Sequence, residues 1–204
     1  IDARIQFLVE NVLRKTGRSA AVVMDVRTGE ILAMASLPNY NPNEFIPSIS
    51  GSKWEDYKAN KAYPLINRAL SSFTPGSPFK LPTAIAACMH SKGDFGHNCV
   101  GHLKFGRSGR LKIRCWKTVG HGSLSLTSAI QRSCNPYFMQ LSTELGNERM
   151  ANAFDMLNLG RATGVKLPAE DRGIIPGSEW WRRELHPGES MTPARMAMLA
   201  IGQD

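Results

Sequence analysis

Two short motifs carry the residues with the most chemistry to offer: Ser77-Pro78-Phe79-Lys80, preceded by Thr74-Pro75-Gly76, and, further along the chain, Ser133-Cys134-Asn135. An S-x-x-K followed by an S-x-N is the pattern of serine acyl transfer in which lysine, not histidine, is the base. Residues three apart share a helix face, so a serine at a helix start has its lysine one turn away, within hydrogen-bond reach. Pro75 and Gly76 predict a turn, Ser77 an N-cap and Pro78 the first helical position, where a missing N–H costs nothing. The following run Thr83-Ala84-Ile85-Ala86-Ala87-Cys88-Met89 predicts an apolar helix through the middle of a domain, with one early hydrogen bond lost to Pro82. Burial there gives Lys80 a route to a lowered pKa, without which a lysine is no base near neutral pH. Taken alone, S-x-x-K also describes a helix cap followed by a surface lysine.

The elements that must hold these groups are readable in outline. Ile5, Leu8, Val9, Val12 and Leu13 form one stripe of an amphipathic helix over residues 2–15 that ends at Gly17. Residues 20–26 and 30–36, rich in Val, Ile, Leu and Ala, flank Arg27-Thr28-Gly29 and predict a β-hairpin. Residues 38–64 read as a loop, and 100–115 as a second hairpin turning at Arg107-Ser108-Gly109 with Lys and Arg on an exposed ribbon. Helices are predicted near 125–133, 136–146, 148–158 and 192–201. Ser133 and Asn135 then sit at a corner between two helices, where both can face a cleft and can also cap the helix opened by Pro136. There is no internal repeat and no low-complexity tract.

Cysteine usage is the second chemical feature. Cys99, Cys115 and Cys134 with His121 make three thiolates and an imidazole, the donor set of a tetrahedral zinc shell, although the spacing is not that of a common finger. His121 lies in Gly120-His121-Gly122, where a loop imidazole can turn toward a ligand. A disulfide between Cys99 and Cys115 at the ends of the predicted hairpin is the alternative, with Cys134 left as a free buried thiol. Cys88 reads as core, and His97 as a reserve ligand.

The chain resembles the transpeptidase domain of class B penicillin-binding proteins, in particular the elongation type. The resemblance is carried in family order by residues 21–36, Pro38-Asn39-Tyr40-Asn41-Pro42-Asn43, Asn67-Arg68-Ala69, Thr74-Pro75-Gly76-Ser77, Gly120-His121-Gly122, Ser133-Cys134-Asn135, residues 164–170 and Ile201-Gly202-Gln203. It implies an α/β (α+β) fold of the penicillin-binding and serine β-lactamase kind, an antiparallel sheet flanked by helices. It implies Ser77 as nucleophile, Lys80 as base, Ser133 as proton relay to the leaving amine and Asn135 as a partner of the substrate amide and of the lysine. The substrates implied are peptidoglycan stem peptides ending in D-Ala-D-Ala, with β-lactams as acylating mimics. The partners implied are a rod-shape scaffold protein and a membrane glycan polymerase. Elongation-type relatives carry metal-ligand residues at matching places, which favours structural zinc at Cys99, Cys115, His121 and Cys134; no cofactor is implied for catalysis.

One family motif, K-T-G on a strand after S-x-N, has no match beyond Asn135. Lys15-Thr16-Gly17 spells it, but at the end of a helix ahead of the nucleophile, and Lys117-Thr118-Val119 lacks the glycine. The expectation is a partial transpeptidase domain over residues 1–204, with part of the sheet missing and an N-terminal membrane anchor removed, at the periplasmic face of the inner membrane. Glu170 stands near the separation from S-x-N at which a class A β-lactamase keeps its deacylating base, but Leu167-Pro168-Ala169-Glu170-Asp171-Arg172-Gly173 follows the transpeptidase pattern. A membrane β-lactam sensor and a non-catalytic binding module that docks elongation partners are the other readings. At 204 residues and 42% hydrophobic content the chain is long enough for a substantial core. It has no apolar run long enough to span a bilayer and no signal peptide. The net charge of +8 is spread over scattered basic residues without a nucleic-acid motif, so no nucleic-acid partner is expected.

Overall fold

The structure, a computed structural model, describes residues 1–105 and 111–203. Residues 1–72 with 165–171 form one compact unit, and 73–164 with 172–204 a second.

In the first unit Asp2 caps helix α1 (Ala3–Leu13) by accepting from the backbone N–H groups of Arg4 and Ile5. Strands β1 (Ser19–Met24) and β2 (Ile31–Leu37) pair as the predicted antiparallel hairpin, with an irregularity at Val23/Met24. Val26 falls in the turn and is almost fully exposed, which shortens the first strand relative to the prediction. The Gln6 side chain imitates a strand: its amide donates to the Met34 carbonyl at 3.0 Å and its oxygen accepts from the Met34 N–H at 2.8 Å, tying α1 to the β2 edge. Ala33, Ala35 and Leu37 are the buried positions of β2, at the period of two that a half-buried strand requires.

The stretch 38–64 is not the plain loop expected from its Pro, Asn and Ser content. It holds a 3-10 turn, Pro42–Phe45, and helix α2 (Gly51–Ala59), started by Ser50, whose hydroxyl accepts from the Lys53 N–H. α2 has no buried residue. It is held by its cap and by Tyr57, which stacks near Phe45 and donates to Glu44 at 2.7 Å.

The second unit is built on α5, Asn135–Met156, whose two helical parts meet at Gly146 (φ 76°), in keeping with the two helices predicted there. Its buried face includes Tyr137, Phe138, Met139, Leu141, Met150 and Phe154. Helices α3 (Lys80–Met89) and α6 (Pro193–Leu199) pack against it. α3 is amphipathic rather than buried all round: Thr83, Ala84, Ala86 and Ala87 are inside, whereas Leu81, Ile85, Cys88 and Met89 are exposed. Cys88, read as core from its apolar neighbours, therefore lies on the solvent side. Strands β3 (His97–Cys99), β4 (His102–Phe105), β5 (Leu111–Arg114) and β6 (Gly122–Leu124) form two short antiparallel ladders, β3 with β6 and β4 with β5. The predicted ribbon corresponds to β4–β5; its turn at 107–109 lies outside the described residues. Helix α4, Leu126–Gln131, opens with a capping box between Ser125 and Ser128.

The turn before α3 and the end of α6 are joined by backbone at close quarters. Gly76 N–H donates to the Gly202 carbonyl at 2.8 Å, and a Cβ on Gly202 would overlap the Gly76 carbonyl oxygen and come within 2.8 Å of Phe79 Cβ. Gly202 also has φ +68°. A Gly202→Ala chain is expected to lose about 2 kcal/mol or more of stability, from the unfavourable φ and the steric displacement together; its urea midpoint set beside that of the unaltered chain is the check.

Candidate active site

Ser77 does not cap the helix as predicted. Gly76, at φ 63°, takes the N-cap position that few other residues could adopt, and Ser77–Phe79 forms a 3-10 turn leading into α3. That frees the Ser77 hydroxyl for another partner. Nζ of Lys80, on the buried side of α3 and only 3% exposed, lies within hydrogen-bond distance of Ser77 Oγ at 3.0 Å, Ser133 Oγ at 2.8 Å, the Ser133 carbonyl at 3.0 Å and Asn135 Oδ1 at 2.6 Å. Ser133 Oγ donates to Ser77 Oγ at 3.1 Å. The four predicted residues are thus brought together around one nitrogen.

The corner that presents Ser133 and Asn135 is strained. Ser133, between α4 and α5, has φ 48°, a left-handed conformation uncommon for a non-glycine residue. Cys134, not Ser133 or Asn135, is the N-cap of α5, and no side chain caps that end. The expected capping by Ser133 and Asn135 is absent because both side chains turn to Lys80 instead. Phe138, one turn into α5, lies 6.0 Å from Nζ at its ring centroid. Burial pushes the Lys80 pKa below the ordinary lysine value.

Cys99, Cys115, His121 and Cys134 converge as well, with one donor atom from each lying within 4.8 Å of the others. The four cysteines are unbridged. Register explains the convergence. Cys99 pairs with Gly122 across β3–β6, next to His121; Cys115 N–H donates to the Gly101 carbonyl at 2.9 Å; Cys134 N–H donates to Ala129 at 3.0 Å. Gly101 and Gly120, both at φ +85°, let these backbones pass: a Cβ on Gly101 would overlap the Thr118 carbonyl, and one on Gly120 the Cys99 carbonyl. Cys115 Sγ lies 3.5 Å from His121 Nδ1. Zinc bonds of about 2.0–2.3 Å set tetrahedral donor separations near 3.3–3.8 Å, a range that holds the Cys115–His121 separation, and three thiols with an imidazole are the donor chemistry of a Cys3His site. Burial pushes the Cys134 thiol well above its ordinary range. Burial acts the same way on Cys99, but hydrogen bonds from the Gly101 and His121 backbone and contacts with Cys134 and Cys115 outweigh it and hold that thiol below the ordinary range. His97, the reserve ligand, is outside the cluster and sits edge-on to Tyr137.

Three contributors were not legible beforehand. Trp116 donates from Nε1 to the Arg132 carbonyl at 2.9 Å, bracing the corner before Ser133, and packs edge-on to His121. Its position beside Cys115 was the one available sign. Phe138 gave none, and Gly202 stood out only within Ile201-Gly202-Gln203, with no sign of its contact to Gly76.

Residues 19–202 match the family described as the penicillin-binding protein transpeptidase domain, and the chain belongs to that family. Peptidoglycan D,D-transpeptidase MrdA of Acinetobacter baumannii is 36% identical over 168 residues, covering 81% of this chain and 25% of that protein. Penicillin-binding protein 2 (PBP2) of Pseudomonas aeruginosa superposes with a TM-score of 0.89 at 32% identity, over 100% of this chain and 44% of that one. PBP2 of Helicobacter pylori, solved in complex with MreC, gives a TM-score of 0.85 at 30% identity over 96% and 36% of the respective chains. Within the family the chain is of the class B, PBP2 or MrdA type, with the mixed α/β fold of those neighbours, and it spans less than half the length of these relatives.

Proposed function

We propose that this chain carries the acylation centre of a peptidoglycan D,D-transpeptidase that acts in cell elongation. The observation that carries the reading is the buried Lys80 amine hydrogen-bonded to Ser77, Ser133 and Asn135 together. Neutral Lys80 takes the proton from Ser77 Oγ as that oxygen attacks the carbonyl of the penultimate D-alanine. The Ser77 backbone N–H donates to the oxyanion. The C–N bond to the terminal D-alanine breaks, and that amine leaves with a proton passed from Lys80 through Ser133, whose hydroxyl bridges Nζ and Ser77 Oγ. Asn135 orients the substrate amide. An amine from a neighbouring stem then attacks the acyl-enzyme to form the cross-link, or a β-lactam leaves Ser77 stably acylated.

Cys99, Cys115, His121 and Cys134 hold a structural zinc ion in this reading. Their role is to tie the β3–β6 ladder and the loop after β5 to Cys134, the middle residue of Ser133-Cys134-Asn135, and so to fix the two polar residues on either side. One zinc and no disulfide by elemental analysis and thiol counting is the expected result; no metal with two thiols lost overturns it. No helix among the described residues is long and apolar enough to cross a membrane. The periplasmic face of the inner membrane is the proposed location, with a rod-shape scaffold and a glycan polymerase as partners. The complex of H. pylori PBP2 with MreC supports the first of these.

The test is intact-mass analysis after incubation with a penicillin. One adduct stable for hours is expected. An adduct hydrolysed within minutes would make the chain a β-lactamase, and no adduct would leave partner binding as its role.

A further inference from the structure

The β4–β5 ribbon sets Lys104 directly opposite Lys112 and His102 opposite Arg114. Alternation puts these four on one face and turns Leu103 and Ile113 to the other, where they pack against the core. Directly opposed side chains are about 5 Å apart at Cβ, so paired like charges destabilise a ribbon. Nothing described nearby relieves them. Lys104, Lys112 and Arg114 are exposed, and none of the ion pairs among the described residues engages them, Lys117 or Arg132. Cations elsewhere on the surface do find carboxylates, as in Arg27 with Asp25, Lys58 with Glu55, and Arg161 with Asp155.

The charged face is linked to the candidate active site through Trp116 and Arg132. From Arg114 the chain runs through Cys115 to Trp116, 66% exposed, whose indole N–H binds the carbonyl of exposed Arg132, the neighbour of Ser133. A ligand matching this track carries repeated negative charges and a backbone of rings whose C–H faces can lie on an indole. A glycan strand with carboxylate-bearing stem peptides has both.

We propose that the Lys104, Lys112 and Arg114 face, with Trp116 and Arg132, is a docking track for the free carboxylates of an uncross-linked peptidoglycan strand. The inference rests on the transpeptidase reading and names a subsite for its substrate outside the reacting groups. The excess positive charge on the ribbon is tolerated because the strand supplies the missing anions, and steering by such a patch raises the encounter rate at low salt.

The test compares the chain with a Lys104→Gln/Lys112→Gln/Arg114→Gln chain for binding to soluble uncross-linked strands bearing pentapeptides, and to the same strands after amidation of their carboxylates. The variant should bind native strands about tenfold more weakly, since each exposed charge contact is worth only a few-fold in affinity. Amidation should cost the unaltered chain a similar factor. Raising ionic strength from about 0.01 M to about 0.15 M, which shortens the screening length from about 30 Å to about 8 Å, should weaken the unaltered chain more than the variant. Both chains should be acylated by penicillin at the same rate, which also shows that the variant folds. Equal binding of native and amidated strands, or an unaffected variant, overturns the proposal. So does preferential retention on phosphatidylglycerol vesicles, which would make the track a membrane contact. Charge-dependent strand binding without penicillin acylation in either chain would sustain the track and remove the transpeptidase reading alone.

Discussion

A Ser77→Ala chain will gain no mass from penicillin, and a Lys80→Met chain will gain it about 10²- to 10⁴-fold more slowly than the unaltered chain, the usual contribution of a positioned base. Methionine keeps the volume and the apolar contacts of the lysine stem and removes only the amine. Ser77 and Ser133 keep their mutual 3.1 Å contact in that variant, so what is lost is the proton acceptor and not the approach of the hydroxyl. The pH profile separates a base from a merely structural lysine. Burial disfavours the ammonium form, so the neutral amine becomes available at a pH below the ordinary lysine value of about 10.4. Acylation by the unaltered chain should therefore rise with pH, with its inflection below that value, and level off above it. The Lys80→Met chain should be flat over the same window. An unaltered chain whose rate is level or falls with rising pH would remove Lys80 from the role of base.

How much of this could be read from the sequence depended on the range of the contact. Ser77 and Lys80 meet because three residues of helix bring them together, and that was legible. Ser133 and Asn135 were legible by type, but not by conformation: capping preferences predict that they satisfy α5, whereas a buried amine offers them stronger partners and draws Ser133 into a left-handed backbone. The same competition moved Ser77 from cap to first helical residue. α2 leaves no apolar stripe in the sequence, being held by its cap, the contacts of Tyr57 with Phe45 and Glu44, and the Lys53–Glu44 ion pair. Cys88 reads as core in the sequence because composition says that a helix is apolar without saying which face is covered. Contacts such as Gly76 with Gly202, or β3 with β6, join segments too far apart in the chain to leave a local pattern. The opposed lysines of the ribbon illustrate the same limit: scattered basic residues look innocuous until the register of the ladder pairs them.

With zinc held at Cys99, Cys115, His121 and Cys134 as proposed, stripping it is expected to lower the unfolding free energy by about 3 kcal/mol or more, roughly a 10 °C fall in Tm for a chain of this size. The β3–β6 ladder and the glycine crossing at Gly101 and Gly120 assemble much of the site without the ion, so the loss should be smaller than the complete unfolding seen in finger peptides. Without metal, Cys134 stays protonated, because burial opposes its ionisation. Three thiols and an imidazole then lose the bonds that hold them together. The consequence should reach the acylation centre, because Cys134 stands between Ser133 and Asn135 and is the N-cap of α5. Penicillin acylation should slow on chelation and recover on adding back zinc. The sign with pH follows from the thiolates: metal binding releases protons, so the metal-dependent share of stability is present at neutral pH and is lost as the pH falls. A Cys134→Ser chain should behave as the stripped one does, with a lower Tm, slower acylation and no response to added zinc. Acylation that survives chelation unchanged, with a lowered Tm, would confine the cluster to holding the fold and detach it from the positioning of Ser133 and Asn135.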